Sequence, residues 1–392
     1  MKVALFASAF YPHVGGVEEL VRQLALEYGR RGISAIVLTN RWPRTLPAFE
    51  DYEGIPVYRL AMRTPGPGWK AHATHFVTHG AVRREMLRIL RRHAIDLLHV
   101  QCVSSNGYYA RMAKEALGLP LVVTAQGERT MDATQLYQRW PFINNVLRAA
   151  LSQAEYVTGC SEDTLRDIKE FYGPGLEGKS EVIYNGINLD DFEAVNGDER
   201  SRPYILGIGR LVRQKGFDVL IEAFAEAGIE SHDLVIAGEG TERPLLEALA
   251  AARGIESRVR FTGRVDRKGT VALFKGCSFF VLPSRMEPLG IVNLEAMAAG
   301  KAVVASRVGG VPEIVRDGIN GVLVPGADAV ALAQALSRVA SDAALRERLG
   351  AEGKARVRDF AWPSIADAYE RIYRKVLNAG ARVEKGELAP AA

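Results

Sequence analysis

Cysteine is scarce. Cys102, Cys160 and Cys277 are the only three in 392 residues, they lie far apart, and none forms a Cys-x-x-Cys pair. That argues against a disulfide frame and a cysteine zinc site, and fits reduced thiols in the cytosol. Long apolar runs are missing too. No uninterrupted stretch approaches the ~20 residues of a membrane span. The opening MKVALFASAF is too short for an export signal, and Tyr11, Pro12, His13 and the Gly15–Gly16 pair follow it. It reads as a first strand and a glycine turn. Charge of one sign is also lacking. Fifty basic residues against 46 acidic leave a formal charge of +4, too little to imply a nucleic-acid partner. No Asp-x-Asp pair ends a strand where a metal-bound diphosphate would sit, so no catalytic metal is expected. A dinucleotide fingerprint would need glycine at position 243 after Gly238 and Gly240, and Arg243 stands there. That counts against an NAD enzyme.

What is present is an alternation of short apolar runs with amphipathic stretches. This is the pattern of α/β domains, parallel sheets covered by helices on both faces. Strands are expected at VALFASAF, AIVLTN, DLLHVQC, PLVVTAQ, YVTGCS and EVIYNG. A second set is expected at YILGIG, DLVIAG, VRFTG, SFFVLPS, AVVAS and GVLVP. The polar stretch 193–203 ends in Pro203 and marks a boundary. Two doubly wound, Rossmann-like domains are expected at residues 1–196 and 197–362, followed by a closing helix at 363–380 and a disordered tail at 381–392. Ligands of such sheets bind beyond the carboxyl ends of the strands.

The densest chemistry lies in 285–315. Glu287 and Glu295 are separated by seven residues, directly after an apolar run ending at Ser284. Pro288 suits the first turn of a helix and Gly300 the position past its end. At ~1.5 Å rise per residue the two carboxylates stand roughly 12 Å apart, about the reach from sugar to ribose in a sugar nucleotide. The backbone N–H groups of Leu289, Gly290 and Ile291 could take the diphosphate between them. The alternative is a surface helix with two solvated glutamates. Gly15 and Gly16 form a turn into the first long helix, either a plain tight turn or a close approach to an anion. Arg210 and Lys215 stand five residues apart after the first strand of the second half. They suit a diphosphate leaving group, or else form an exposed basic loop.

These segments together resemble the retaining glycosyltransferases of family GT4, whose fold is GT-B. Glu287 and Glu295 match the family's E-x7-E motif. GIGRLVRQKG matches GRL-x3-KG, which makes Arg210 and Lys215 the phosphate clamps. HVGGVEE looks like the family's GGVE turn, where Gly15 faces the acceptor and Gly16 the donor diphosphate. Gly238 falls in a loop similar to the one beneath the nucleotide, and Arg264 and Val265 in the segment beside the base. Pro288, Leu289, Gly290 and Ile291 complete the donor side. The resemblance assigns catalysis to Glu287, Arg210 and Lys215, and the acceptor side to Gln126, Gly127 and Glu128. Many GT4 members carry histidine where Gln126 stands, and glutamine cannot carry a proton. The segments 184–188 and 309–324 and the helix beginning near Trp362 also look like family elements, the last crossing back onto the first domain.

The resemblance implies a cytoplasmic hexosyltransferase that keeps the anomeric configuration. It would use a UDP- or GDP-linked sugar as co-substrate and no other cofactor. Its acceptor would be a glycan or a lipid-linked molecule in surface polysaccharide or glycolipid synthesis. A sugar-nucleotide epimerase and an inactive sugar-nucleotide-binding protein are the alternatives. His72, His75 and His79 could share a helical face, but no cysteine or nearby carboxylate joins them into a zinc site. Residues 82–93 form a basic amphipathic helix, with Val82, Met86, Ile89 and Leu90 on one face and Arg84, Arg88 and Arg91 on the other. It reads as a helix packed on its sheet with a solvated basic face, or as a peripheral contact with the inner membrane face.

Overall fold

The computed structural model describes residues 1–13, 15–65, 69–130, 136–198 and 200–384, with 69–74, 76 and 380–384 by backbone alone. The chain forms two compact units, residues 1–184 with 362–392, and 185–361. The first boundary lies upstream of the polar stretch at 193–203.

The first unit runs β1 (Lys2–Phe6), α1 (Gly16–Arg30), β2 (Ser34–Asn40), β3 (Phe49–Tyr52), β4 (Ile55–Leu60), α2 (Trp69–Arg92), β5 (Leu97–Gln101), α3 (Ser105–Leu117), β6 (Leu121–Ala125), α4 (Leu136–Arg139), α5 (Pro141–Gln153), β7 (Tyr156–Gly159), α6 (Glu162–Tyr172) and β8 (Ser180–Val182). Its sheet has the order β3-β4-β2-β1-β5-β6-β7-β8, and only the β3–β4 pair is antiparallel. That hairpin was not among the expected strands. Its turn is Glu53–Gly54, both with positive φ (53° and 81°), the geometry of a tight two-residue hairpin.

The second unit runs β9 (Tyr204–Ile208), α7 (Phe217–Glu226), β10 (Asp233–Ala237), α8 (Arg243–Ala252), β11 (Val259–Gly263), α9 (Arg267–Gly276), β12 (Phe279–Leu282), α10 (Ile291–Ala298), β13 (Ala302–Ser306), α11 (Val311–Ile314), β14 (Val322–Val324), α12 (Ala329–Ser341) and α13 (Ala343–Arg356). Its sheet is parallel throughout, in the order β11-β10-β9-β12-β13-β14. This is the doubly wound order, and its direction reverses between β9 and β12. The central strands are apolar runs buried on both faces, as a parallel sheet between two helix layers requires.

The last helix, α14 (Trp362–Glu384), belongs to the first unit. It extends four residues beyond the expected end at 380, so 381–384 are helix rather than tail. Residues 385–392 lie outside the described residues. Trp362, Ile365, Ala366, Tyr369, Ile372, Tyr373 and Val376 form a buried stripe against α1 and the sheet. Each large apolar side chain there contributes about 1.5–3 kcal/mol on burial. The stripe meets polar groups as well. Tyr373 lies 2.8 Å from the Tyr28 hydroxyl and 2.5 Å from His99 Nδ1, while His99 Nε2 lies 2.7 Å from Thr124 Oγ1. The hydroxyls let β5 and β6 carry His99 and Thr124 fully buried without stranding them.

Candidate functional site: the β9–β12 switch point

The loop after β9 carries Arg210 and then a short 3-10 turn, Arg213–Lys215. Gly216 ends that turn with φ +66°. A Cβ there would stand 2.1 Å from the Pro283 carbonyl oxygen, so only glycine lets this loop press against the end of β12. The approach brings Lys215 beside the loop that follows β12. Lys215 Nζ lies 2.5 Å from Glu287 Oε2, and Ser284 Oγ donates to the same oxygen at 3.0 Å. Glu287 is buried, with 9% of its side chain exposed, and Lys215 keeps 19%.

A second ion pair holds the two loops together. Arg285 grips Asp218 with both terminal nitrogens at 2.6 Å, and its backbone N–H donates to the Gln214 carbonyl at 2.7 Å. Burial works against ionisation of Asp218, yet the two-pronged contact with Arg285 and the N–H groups at the start of α7 hold its carboxyl below the usual range. Neither Arg285 nor Asp218 was expected to matter. The signal for them is spatial: the residues adjoin Glu287 and Lys215 in two distant segments.

Helix α10 begins at Ile291, not at Pro288. Pro288 and Leu289 belong to the turn before it, and Gly290 caps it in the left-handed region at φ +86°. The helical rise therefore does not apply between Glu287 and Ile291, and Glu295 stands little more than one turn into the helix. Among the described residues, the N–H groups of Leu289, Gly290 and Ile291 make no backbone hydrogen bond outside the helix. Beneath this turn Asn293 is fully buried, and neither atom of its amide has a partner among the described residues.

Glu295 forms an ion pair with Arg267, whose Nε also lies 2.7 Å from Asp191 Oδ2. Arg267 therefore sits on the carboxylate expected to meet a ribose. Arg264 is exposed and Val265 half-buried, both just past the end of β11. Gly238 follows β10, and a Cβ on it would stand 1.9 Å from the Gly209 carbonyl oxygen. Its smallness is explained by the packing of the β9 and β10 loops, before any ligand is invoked. Arg210 is exposed and has no side-chain partner among the described residues.

The remaining expected residues belong to the first unit. Gly15 caps α1 in extended conformation and Gly16 is its first residue. Gln126, Gly127 and Glu128 follow β6, and all three are buried. Gln126 Nε2 donates to Gln101 Oε1 at 3.2 Å. Glu128 accepts the backbone N–H of Val103 at 2.8 Å and of Gln126 at 2.6 Å, tying the β5 and β6 loops together. Burial pushes its carboxyl pKa up, against the pull of those N–H groups. Met131 and Asp132 lie outside the described residues. Among the described residues no three of His, Cys, Asp and Glu gather as a metal site. The His75 and His79 rings lie 4.9 Å apart, tilted by 56°, with His75 Nδ1 2.8 Å from the Arg63 carbonyl, and the His72 side chain lies outside those described.

In the second unit, two cations, a buried carboxylate and a turn of unengaged N–H groups thus occupy strand ends around the reversal of a doubly wound sheet. Residues 190–356 match the glycosyl transferases group 1, and residues 14–191 match glycosyltransferase family 4. An alpha-D-kanosaminyltransferase of Streptomyces kanamyceticus is 31% identical over 91% of this chain and 99% of its own length. The chain is a group 1 glycosyltransferase of family 4. Its fold is that of the GT-B enzymes. Sucrose-phosphate synthase from Thermosynechococcus elongatus superimposes with a TM-score of 0.82 at 26% identity, over 96% of this chain and 99% of that one. Anabaena HepE, solved in complex with UDP and glucose, gives 0.76 at 20% identity, over 96% and 100%. This glycosyltransferase has no helix among its described residues long and apolar enough to cross a membrane.

Proposed function

We propose that this glycosyltransferase moves a hexosyl group from a UDP- or GDP-linked sugar to a glycan or lipid-linked acceptor. The anomeric configuration is kept, and neither a metal nor another cofactor takes part. The observation that carries the reading is the Lys215–Glu287 pair at the β9–β12 switch point, beside the unengaged N–H groups of Leu289, Gly290 and Ile291. The UDP and glucose in the HepE structure support a nucleotide-linked sugar as donor.

In this reading Lys215, Arg210 and the N–H turn hold the diphosphate and stabilise the charge it gains as the glycosidic bond breaks. Glu287 holds the donor sugar hydroxyls and Glu295 the ribose. The acceptor oxygen attacks from the face the diphosphate leaves, and the leaving phosphate oxygen takes the acceptor proton. No protein nucleophile is needed, so the chain's work is electrostatic and positional. The acceptor binds the first unit near Gly15, Gln126, Gly127 and Glu128, in the cytoplasm. Peripheral membrane contact through 82–93 would rest on Arg84 and Arg91, because Arg88 is already paired with Glu85.

The test is to follow nucleoside diphosphate release from UDP-, GDP- and ADP-sugars with and without a panel of acceptors, and to read the anomeric proton of the product by NMR. Acceptor-dependent release and a retained anomer are expected. Inversion would refute the front-face mechanism. Interconversion of the donor with no release would refute transfer.

A further inference from the structure

Helix α10, with the sequence IVNLEAMA, has two polar residues, Asn293 and Glu295. Glu295 holds Arg267. Asn293 is fully buried, and neither its Oδ1 nor its Nδ2 has a hydrogen-bond partner. Among the described residues of the second unit, Arg258 Nε and Arg356 Nε are also buried without a partner, but both guanidinium groups are bonded through other nitrogens. Asn293 is the one buried side chain there whose polar atoms are all left over.

Its place in the fold is specific. Gly290 is the N-cap of α10, so Asn293 is the third helical residue. A side chain at that position can reach back to the peptide groups of the turn before the helix. A Cβ on Gly290 would stand 2.7 Å from Asn293 Nδ2, and 3.3 Å from both Glu287 Cγ and Leu282 Cδ2. The amide therefore lies directly under the turn, beside the stem of Glu287 and an apolar strand end. Glycine is needed at 290 for this contact as well as for its positive φ. The turn itself has polar groups to spare. Among the described residues, the N–H groups of Leu289, Gly290 and Ile291 donate no backbone hydrogen bond outside the helix, and the carbonyls of Pro288 and Leu289 accept none.

A buried amide without partners costs free energy that a leucine, with the same branching and no polar atom, would not. That cost is recovered only in a state that supplies the missing bonds. A ligand draws the protein into such a state by binding it better than the other.

We propose that Asn293 is a positioning residue for the donor diphosphate. When the diphosphate engages the N–H groups of the 289–291 turn, the turn settles onto the Asn293 amide, which then bonds its peptide groups and fixes their direction. Binding the diphosphate and satisfying Asn293 are one event. The inference rests on this turn being the diphosphate site of the glycosyltransferase, and it adds the residue that holds the turn in its binding form. It gives the substitution of Asn293 opposite effects on the free and the bound protein. A residue that merely supports the fold would move stability and affinity down together.

The experiment uses the full chain and three probes, UDP, GDP and ADP, by calorimetry, with urea unfolding of the same samples. The variants are Asn293→Leu and the smaller Asn293→Ala, and the one at least as stable as wild type decides. The wild type is expected to bind at least one of the three nucleotides. The deciding variant is expected to bind it tenfold or more weakly while unfolding at no lower urea concentration. Unchanged affinity in that variant overturns the proposal. If both variants are less stable than wild type, the amide supports the fold through bonds of its own, such as to a buried water, and the proposal falls as well. The two readings fail differently. A wild type that binds none of the nucleotides sinks the diphosphate site itself, whereas normal wild-type binding with an unaffected variant sinks this inference alone.

Discussion

Replacing Glu287 with glutamine should separate sugar handling from nucleotide binding. The change keeps the shape of the side chain and removes one charge. That charge is held by Lys215 at 2.5 Å and by Ser284 at 3.0 Å. Breaking a fully buried ion pair costs about 3–5 kcal/mol. Lys215 keeps 19% of its side chain in water and can turn outward, so roughly 1–2 kcal/mol of stability should be lost, within the ordinary range for one substitution. Nucleoside diphosphate affinity should stay within about threefold of wild type, because the released Lys215 is more available to phosphate, not less. Transfer is different. If Glu287 accepts from hydroxyls of the reacting sugar, about 3 kcal/mol of transition-state stabilisation disappears, or about 100-fold in rate. The assay pairs calorimetry with the nucleoside diphosphate against single-turnover transfer. A rate within tenfold of wild type would refute the assignment of Glu287. Loss of nucleotide binding in step with rate would show that the substitution disorders the turn rather than removing a contact.

Lys215→Ala and Arg210→Ala should each lower both donor affinity and transfer rate, by about tenfold or more, since a diphosphate clamp acts before and during bond cleavage; unchanged donor affinity in calorimetry would count against the clamp. Transfer should persist in excess EDTA, and strict dependence on added magnesium or manganese would reverse the metal-free reading. Burial lowers the His99 imidazole from 6.5 to about 3, so the folded first unit binds fewer protons than the unfolded chain between those values. Its contribution to stability is complete above pH 6.5 and is lost as pH falls toward 3; thermal melts across that window should show a shallower slope for His99→Gln, and an unaltered slope would refute the linkage.

The doubly wound architecture was legible because its strands are buried on both faces and appear as continuous apolar runs. The β3–β4 hairpin was not, because Phe49–Tyr52 is short and polar and its turn is Glu-Gly rather than Asn-Gly. The helix start at Ile291 was misplaced for a related reason. Proline is acceptable both in a first turn and in the turn before it, and only the left-handed Gly290 decides between them. Glu287, Lys215, Arg210 and Glu295 could be picked out as types at intervals. That Lys215 rests on Glu287 is a matter of which strands lie side by side, because the order β11-β10-β9-β12-β13-β14 brings together loops some seventy residues apart, whereas Arg267 reaches Glu295 through the packing of α9 on α10.

The ion pairs around the switch point have a physical consequence. In the second unit Lys215, Arg285 and Arg267 each already hold a carboxylate. Such pairs keep the loops in place before a ligand arrives, but an incoming anion must compete with Glu287 for Lys215, so part of the attraction is spent on that exchange. Of the expected donor residues, Arg210 and Arg264 are cations with no carboxylate partner among the described residues.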